Sequence, residues 1–160
     1  MKFSVNREAL LRPLQQVVGV VDRRPTFPVL SNVRLQVDDK SLALTGTDLE
    51  VELIGNVDVT TVTSGEVTVP SRKLVDICRQ LPERCTIEFS LLEERLEIRS
   101  GRFRSTLSTL PADGFPSVER TVDELTVRLD SKALKKLLDR TAFAIAQQDV
   151  RVFLNGMLLE

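Results

Sequence analysis

Asp48, Glu50 and Glu52 are the densest group of side chains in this chain that could do chemistry. Their period-two spacing would set all three on one face of a strand. Carboxylates so arranged can hold a divalent cation or work as acid and base. Such a site needs a partner, and the 160 residues contain no histidine, tryptophan or tyrosine. No Ser-His or Cys-His pair can form, and no imidazole is available as a metal ligand. Cys78 and Cys85 suggest neither a disulfide framework nor a metal site, and read as buried free thiols of a cytoplasmic protein. A solvated outer strand face is the better reading of the three carboxylates. No catalytic residue, metal or cofactor is assigned, and binding functions remain.

The charges point to a kind of binding. The formal net charge is only −1, but it is unevenly spread. Residues 7–24 carry four arginines against two acids, residues 71–80 three bases against one acid, and residues 131–149 four bases against two acids. Each of these helical segments has the same excess of two positive charges, and the acids concentrate on the intervening strands. A basic helical layer without base-reading motifs suits sequence-independent contact with phosphates, which is strongly salt-dependent. Arg72, Lys73 and Arg79 are candidates on this ground. A plain interaction scaffold, whose basic face meets an acidic protein, is the alternative.

The elements that position these residues follow from periodicity. Lys2–Val5 alternates as a short strand; Asn6 caps a helix whose apolar face is Ala9, Leu10, Leu14, Val17, Val18 and Val21. Pro13 falls in the second turn, where a helix tolerates it or kinks modestly. A loop at Asp22–Pro28 follows, then strands at Val29–Val37, Ser41–Thr45 and Asp48–Asn56. Val67 and Val69 make a strand, Pro70 and Ser71 a cap, and Leu74, Val75, Cys78 and Leu81 a second helix face. Strands at Thr86–Leu91, Arg95–Ser100 and Arg102–Leu110 complete this pattern. Pro111–Thr121 reads as a connection. Leu125–Leu129, a cap at Asp130, a helix over Ser131–Ala146 and a strand over Val152–Leu159 then restart it.

The restart is a repeat. Phe3, Val5, Ala9, Leu10, Leu14, Leu30, Val33 and Leu35 fall, 124 positions on, onto Val127, Leu129, Ala133, Leu134, Leu138, Leu154, Met157 and Leu159. A weaker copy lies at an offset of 64, and Leu42-Ala43-Leu44 matches Leu96-Glu97-Ile98 at an offset of 54. The expected fold class is α+β, in pseudo-two-fold domains of two strand–helix–strand–strand–strand units with antiparallel sheets. Residues 1–121 would be one complete domain and 122–160 the start of another, so a longer frame with further repeats is expected. At 42% apolar and 28% charged residues the composition is that of an ordinary soluble protein. No signal core precedes the first strand, and no apolar run approaches the roughly 18 residues of a membrane span.

Several stretches resemble one family: Met1-Lys2-Phe3-Ser4-Val5, Leu14-Gln15-Gln16-Val17, Arg24-Pro25-Thr26, Thr45-Gly46-Thr47-Asp48-Leu49-Glu50, Leu107-Ser108-Thr109-Leu110-Pro111, Asp149-Val150-Arg151 and Leu154-Asn155-Gly156-Met157. The sequence is similar to the bacterial DNA polymerase III beta subunit, the replicative sliding clamp. The resemblance implies the DNA-clamp fold, with three domains per subunit and a head-to-tail homodimeric ring. Helices would line the hole around duplex DNA and sheets would form the outside. It implies a non-catalytic processivity factor of the cytoplasm, bound by the polymerase III alpha subunit and the clamp loader through short peptide motifs, without a membrane.

By position, the resemblance makes Arg24 and Gln148 DNA contacts. They are 124 residues apart and so occupy one loop in successive copies. Lys73, Arg102, Arg104 and Leu107 match positions that meet the other subunit. Ser105 stands where the family has an aromatic residue, with Phe103 two positions earlier, which weakens or relocates the apolar part of that contact. Leu154 matches one wall of the partner-peptide groove, whose remainder would come from later residues.

Overall fold

A computed structural model describes residues 1–21, 27–116 and 127–159. The chain divides into two compact units, Met1–Glu119 and Arg120–Glu160. The expected loop arginines Arg23 and Arg24, and the first two residues of the expected strand Leu125–Leu129, lie outside the described residues; the rest of that stretch, residues 127–129, is not a strand.

The first unit begins with β1 (Lys2–Asn6) and α1 (Arg7–Val18). The Asn6 carboxamide oxygen accepts the N–H groups of Glu8 and Ala9, which capping requires at that point. Pro13 sits inside α1 without ending it. A single 3-10 turn, Pro28–Ser31, precedes β2 (Asn32–Val37), followed by β3 (Ser41–Thr47) and β4 (Glu52–Asp58). The chain then crosses to the other sheet as β5 (Thr60–Thr63), and β6 (Gly65–Pro70) leads into α2 (Ser71–Gln80). The meander β7 (Thr86–Leu92), β8 (Arg95–Ser100) and β9 (Phe103–Ser108) completes the unit.

The two copies exchange their first strands. One sheet runs β5-β1-β7-β8-β9 and the other β4-β3-β2-β6. Thus β1 of the first copy pairs antiparallel with β7 of the second, and β6 of the second pairs antiparallel with β2 of the first. The exchange is reciprocal in register. Phe3 faces Phe89 across β1 and β7, and the corresponding Val67 faces Leu35 across β6 and β2. The Phe3 and Phe89 rings stack at 4.7 Å, an aromatic cross-strand pair of the sort that stabilises a sheet beyond its buried area. Helix starts follow the same rule. The Arg7 N–H donates to the Cys85 carbonyl at 3.0 Å, and the Ser71 hydroxyl donates to the Ser31 carbonyl at 2.7 Å.

A single core lies between the helices and both sheets. It takes Leu10, Leu14 and Val17 from α1, Leu74, Val75 and Cys78 from α2, and the inward residues of eight strands, among them Val33, Leu44, Val69, Ile87 and Ile98. The expected connection at Pro111–Thr121 is partly core instead: Ala112 and Phe115 are buried, and the Phe115 N–H closes a turn onto the Ala112 carbonyl. Apolar side chains this close to the last strand are drawn in by burial despite the surrounding prolines and glycine. Burial also governs Cys78, whose thiol pKa is pushed up to about 12, whereas Cys85 is only half-buried. A raised thiol pKa means that the folded state holds its proton more tightly than the unfolded chain. The resulting stability is complete below about pH 9 and is lost as pH rises towards 12. Urea unfolding should therefore show the stability gap between wild type and Cys78→Ala narrowing across that window; a constant gap would contradict it.

The turn before β4 corrects the carboxylate cluster. Asp48 and Glu50 are not on a strand: the chain turns at Asp48–Val51, with Leu49 at a φ of 79°. Asp48 Oδ1 accepts the Glu50 and Val51 N–H groups at 3.0 and 2.7 Å, which lowers its pKa, Val51 contributing most. Asp48 is thus a turn-forming residue, as short carboxylates often are, and only Glu52 belongs to β4. Among the described residues, no three Cys, Asp or Glu side chains are grouped so as to hold a metal ion.

The second unit contains α3 (Ser131–Thr141), capped by Asp130, whose carboxylate accepts the Lys132 and Ala133 N–H groups. The helix is shorter than the expected Ser131–Ala146, since Ala142–Ala144 tightens into a 3-10 turn. The expected strand Val152–Leu159 is instead a 3-10 turn at Val152–Asn155. This turn lies 124 residues after Pro28–Ser31, so the repeat register survives although both turns read as strand. Apolar residues of α3 that match the core of α1 are only partly covered here; Leu138 is 36% exposed where Leu14 is 0%.

Candidate nucleic-acid interface

α1 and α2 lie side by side, and the first unit's candidate cations divide between two sides of α2. Arg72 and Arg79 are seven residues, two helical turns, apart and therefore share a face. With Gln15, Val18 and Gly19 of the α1 end, and with Val75 and Asp76, they line an open cleft between the helices. Lys73 is rotated off that face. With Ile77 and Gln80 it lines a groove against Ser105, Thr106 and Leu107 of β9.

Not every basic residue of the helices is available. The Arg7 guanidinium is largely buried: its Nε donates to the Cys78 carbonyl at 2.8 Å and its Nη2 to the Arg79 carbonyl at 3.2 Å. Its Nη1 meets Glu8 at 3.2 Å, and Glu8 in turn accepts the Arg84 N–H at 2.8 Å, the main reason its pKa is lowered. Arg7 is a structural clamp between the end of α2 and the start of α1. Charge counting along the sequence could not separate it from the exposed Arg12, Arg72, Lys73 and Arg79. Gln15 was missed for a similar reason. With its amide oxygen turned toward Arg79, it lies 3.0 and 3.3 Å from that guanidinium's Nε and Nη2, and both side chains line the cleft.

The other expected residues are dispersed. Leu107 is buried under the groove that Lys73 lines. Arg102 follows Gly101 in the β8–β9 turn, and Arg104 is exposed on β9 opposite Arg99. Ser105 lines the groove and Phe103 is half-buried against the core. In the second unit, Gln148 is exposed with a φ of 59°. Leu154 is half-buried, and its carbonyl accepts the Ala146 N–H at 2.9 Å. No helix among the described residues is long and apolar enough to cross a membrane.

Two antiparallel sheets with exchanged strands, closed by a helix pair with outward cations, make up the DNA-clamp fold. The structure is similar to the DNA polymerase III subunit beta of Pseudomonas aeruginosa, with a TM-score of 0.93 and 54% identity over 98% of this chain and 43% of that one. It is also similar to Caulobacter crescentus pol III beta, with a TM-score of 0.88 and 38% identity over 98% and 42%. Residues 1–119 match the family model for the DNA polymerase III beta subunit, N-terminal domain, and the chain belongs to that family. It is 56% identical to the beta sliding clamp of Pseudomonas putida and 51% identical to that of Escherichia coli K12, in each case over the whole chain. It spans 44% of the length of those relatives.

Proposed function

We propose that this chain is the leading part of a sliding clamp that encircles duplex DNA and tethers the replicative polymerase, without catalysis of its own. The observation that carries the reading is the α1–α2 cleft, where Arg72 and Arg79 face outward together while Arg7 is held internally. In a ring of such domains these helices face the hole. Arg72, Arg79, Arg24 and Gln148 then meet phosphates in a sequence-independent way. Such contacts fix register weakly and depend on salt, which suits a protein that must slide.

Lys73 serves better in the contact between subunits, with Leu107, Arg102 and Arg104, than as a DNA ligand, because it lies in the groove beside β9. Ser105 leaves that contact less apolar than an aromatic residue would. Leu154 forms part of the groove for the short peptides of the polymerase alpha subunit and the clamp loader. The setting is the cytoplasm and the assembly a homodimeric ring, with no cofactor.

Topology provides the test. The complete protein, loaded on circular DNA, is expected to dissociate when the circle is cut and to stay when it is not. Retention on linear DNA with unblocked ends would overturn the reading, and binding that ignores salt and DNA altogether would favour a scaffold for an acidic protein.

A further inference from the structure

The segment between Ala146 and Asn155 is closed by a set of hydrogen bonds that bracket one residue. Asn155 forms a two-way lock on Asp149: its Oδ1 accepts the Asp149 N–H at 3.0 Å and its Nδ2 donates to the Asp149 carbonyl at 3.0 Å. The Asp149 carboxylate is occupied from the other side by Arg151. Oδ1 accepts the Arg151 backbone N–H at 2.9 Å and Nε at 3.1 Å, while Oδ2 accepts Nη2 at 3.0 Å. The Ala146 N–H to Leu154 carbonyl bond shuts the base of the loop.

Gln148 directly precedes this lock and stands at a φ of 59°, a left-handed conformation that a side-chain-bearing residue adopts at a cost. The strain persists because the peptide following Gln148 supplies the N–H that Asn155 holds. Released, Gln148 would relax to an ordinary conformation and its carboxamide would point elsewhere. Electrostatics add a second reason for the arrangement. A free carboxylate next to a phosphate-contacting residue would repel the DNA, and the Arg151 fork neutralises Asp149 at that point.

We infer that Asn155, with Asp149 and Arg151, positions Gln148 for contact with the DNA backbone. The inference rests on the reading of Gln148 as a DNA contact. Asn155 makes no contact of its own with DNA; it acts through the residue it holds.

A double-mutant cycle on the full-length protein tests this, reading affinity for a short duplex of arbitrary sequence at low salt. Gln148→Ala is expected to weaken binding about fivefold, the worth of one hydrogen bond. Asn155→Ala should weaken it by a similar factor, and Asn155→Leu, closer in shape, should do the same. In the Gln148→Ala background neither Asn155 change should weaken binding further, with the melting temperature unchanged throughout. A general structural effect would instead add to that of Gln148→Ala, and additivity would overturn the inference while leaving the DNA reading intact. No loss from Gln148→Ala would overturn both.

Discussion

Replacing Leu14 by alanine in residues 1–160 is expected to destabilise the first unit by about 3–5 kcal/mol. The same replacement at its repeat-mate Leu138 should change the main unfolding transition by less than about 0.5 kcal/mol. Both leucines hold the same place in a capped amphipathic helix, one after Asn6 and one after Asp130. Leu14 is fully enclosed by the sheets, and truncation there leaves a cavity that packed neighbours can fill only in part. Leu138 lies in the second unit, is no part of that core and is 36% exposed, so shortening it leaves no enclosed cavity in the first unit. Urea denaturation followed by circular dichroism gives both values. Equal losses at the two positions would mean that the second unit closes over Leu138 as the first does over Leu14.

Gly46→Val is expected to be the other severe substitution, costing at least about 3 kcal/mol, the upper part of the range for overpacked cores. Gly46 is on β3 directly beneath α1. A Cβ there would stand 2.8 Å from both Val17 Cγ1 and the Val17 carbonyl oxygen. The methyl group could rotate away, but the carbonyl belongs to the helix backbone and cannot. One strand over, a Cβ at Gly55 would lie 3.0 Å from the Pro13 Cβ. The two glycines, on β3 and β4, form the seat on which α1 rests. For a unit of this size the loss corresponds to a fall in Tm of about 10 °C. Calorimetry that finds Gly46→Val within a degree or two of wild type would show that α1 can lift off the sheet without penalty.

The same seat explains why Pro13 survives in α1. Its ring faces Gly55, and the packing it makes there offsets the helix hydrogen bond it cannot donate. Sequence reasoning allowed the proline only as a tolerated exception near the helix start. Its role as a contact depends on a glycine 42 positions away on another element.

Comparison of the two units separates the repeat pattern from the local secondary structure. The register of 124 holds for the caps at Asn6 and Asp130 and for the 3-10 turns at Pro28–Ser31 and Val152–Asn155. Both turns read as the start of a strand because short apolar runs look alike in either state. Asp48, Glu50 and Glu52 failed for the opposite reason. Their alternation looked like a strand, but a carboxylate that can accept the backbone N–H groups two and three residues along favours a turn. At the candidate interface, Arg72 and Arg79 were legible from charge and helical spacing, whereas Arg7 could not be told from them. Its partners are carbonyl groups more than 70 residues distant.

By itself the sequence determined the family, the α+β class, the duplicated helices with their caps, and most of the residues that face the core, although Ala9, expected on the apolar face of α1, is exposed and Ala112 and Phe115, expected in a connection, are buried. These follow from periodicity and short-range capping, which depend on neighbours a few positions apart. Only the tertiary structure decided that the copies exchange their first strands, that Arg72 and Arg79 share a cleft while Lys73 turns to another groove, and that Asn155 locks the loop carrying Gln148. Periodicity reports that a face is buried without naming what buries it. Pairings such as Asn6 with Thr86 join residues 80 positions apart, and the partner of a backbone hydrogen bond leaves no mark on the identity of the residue that makes it.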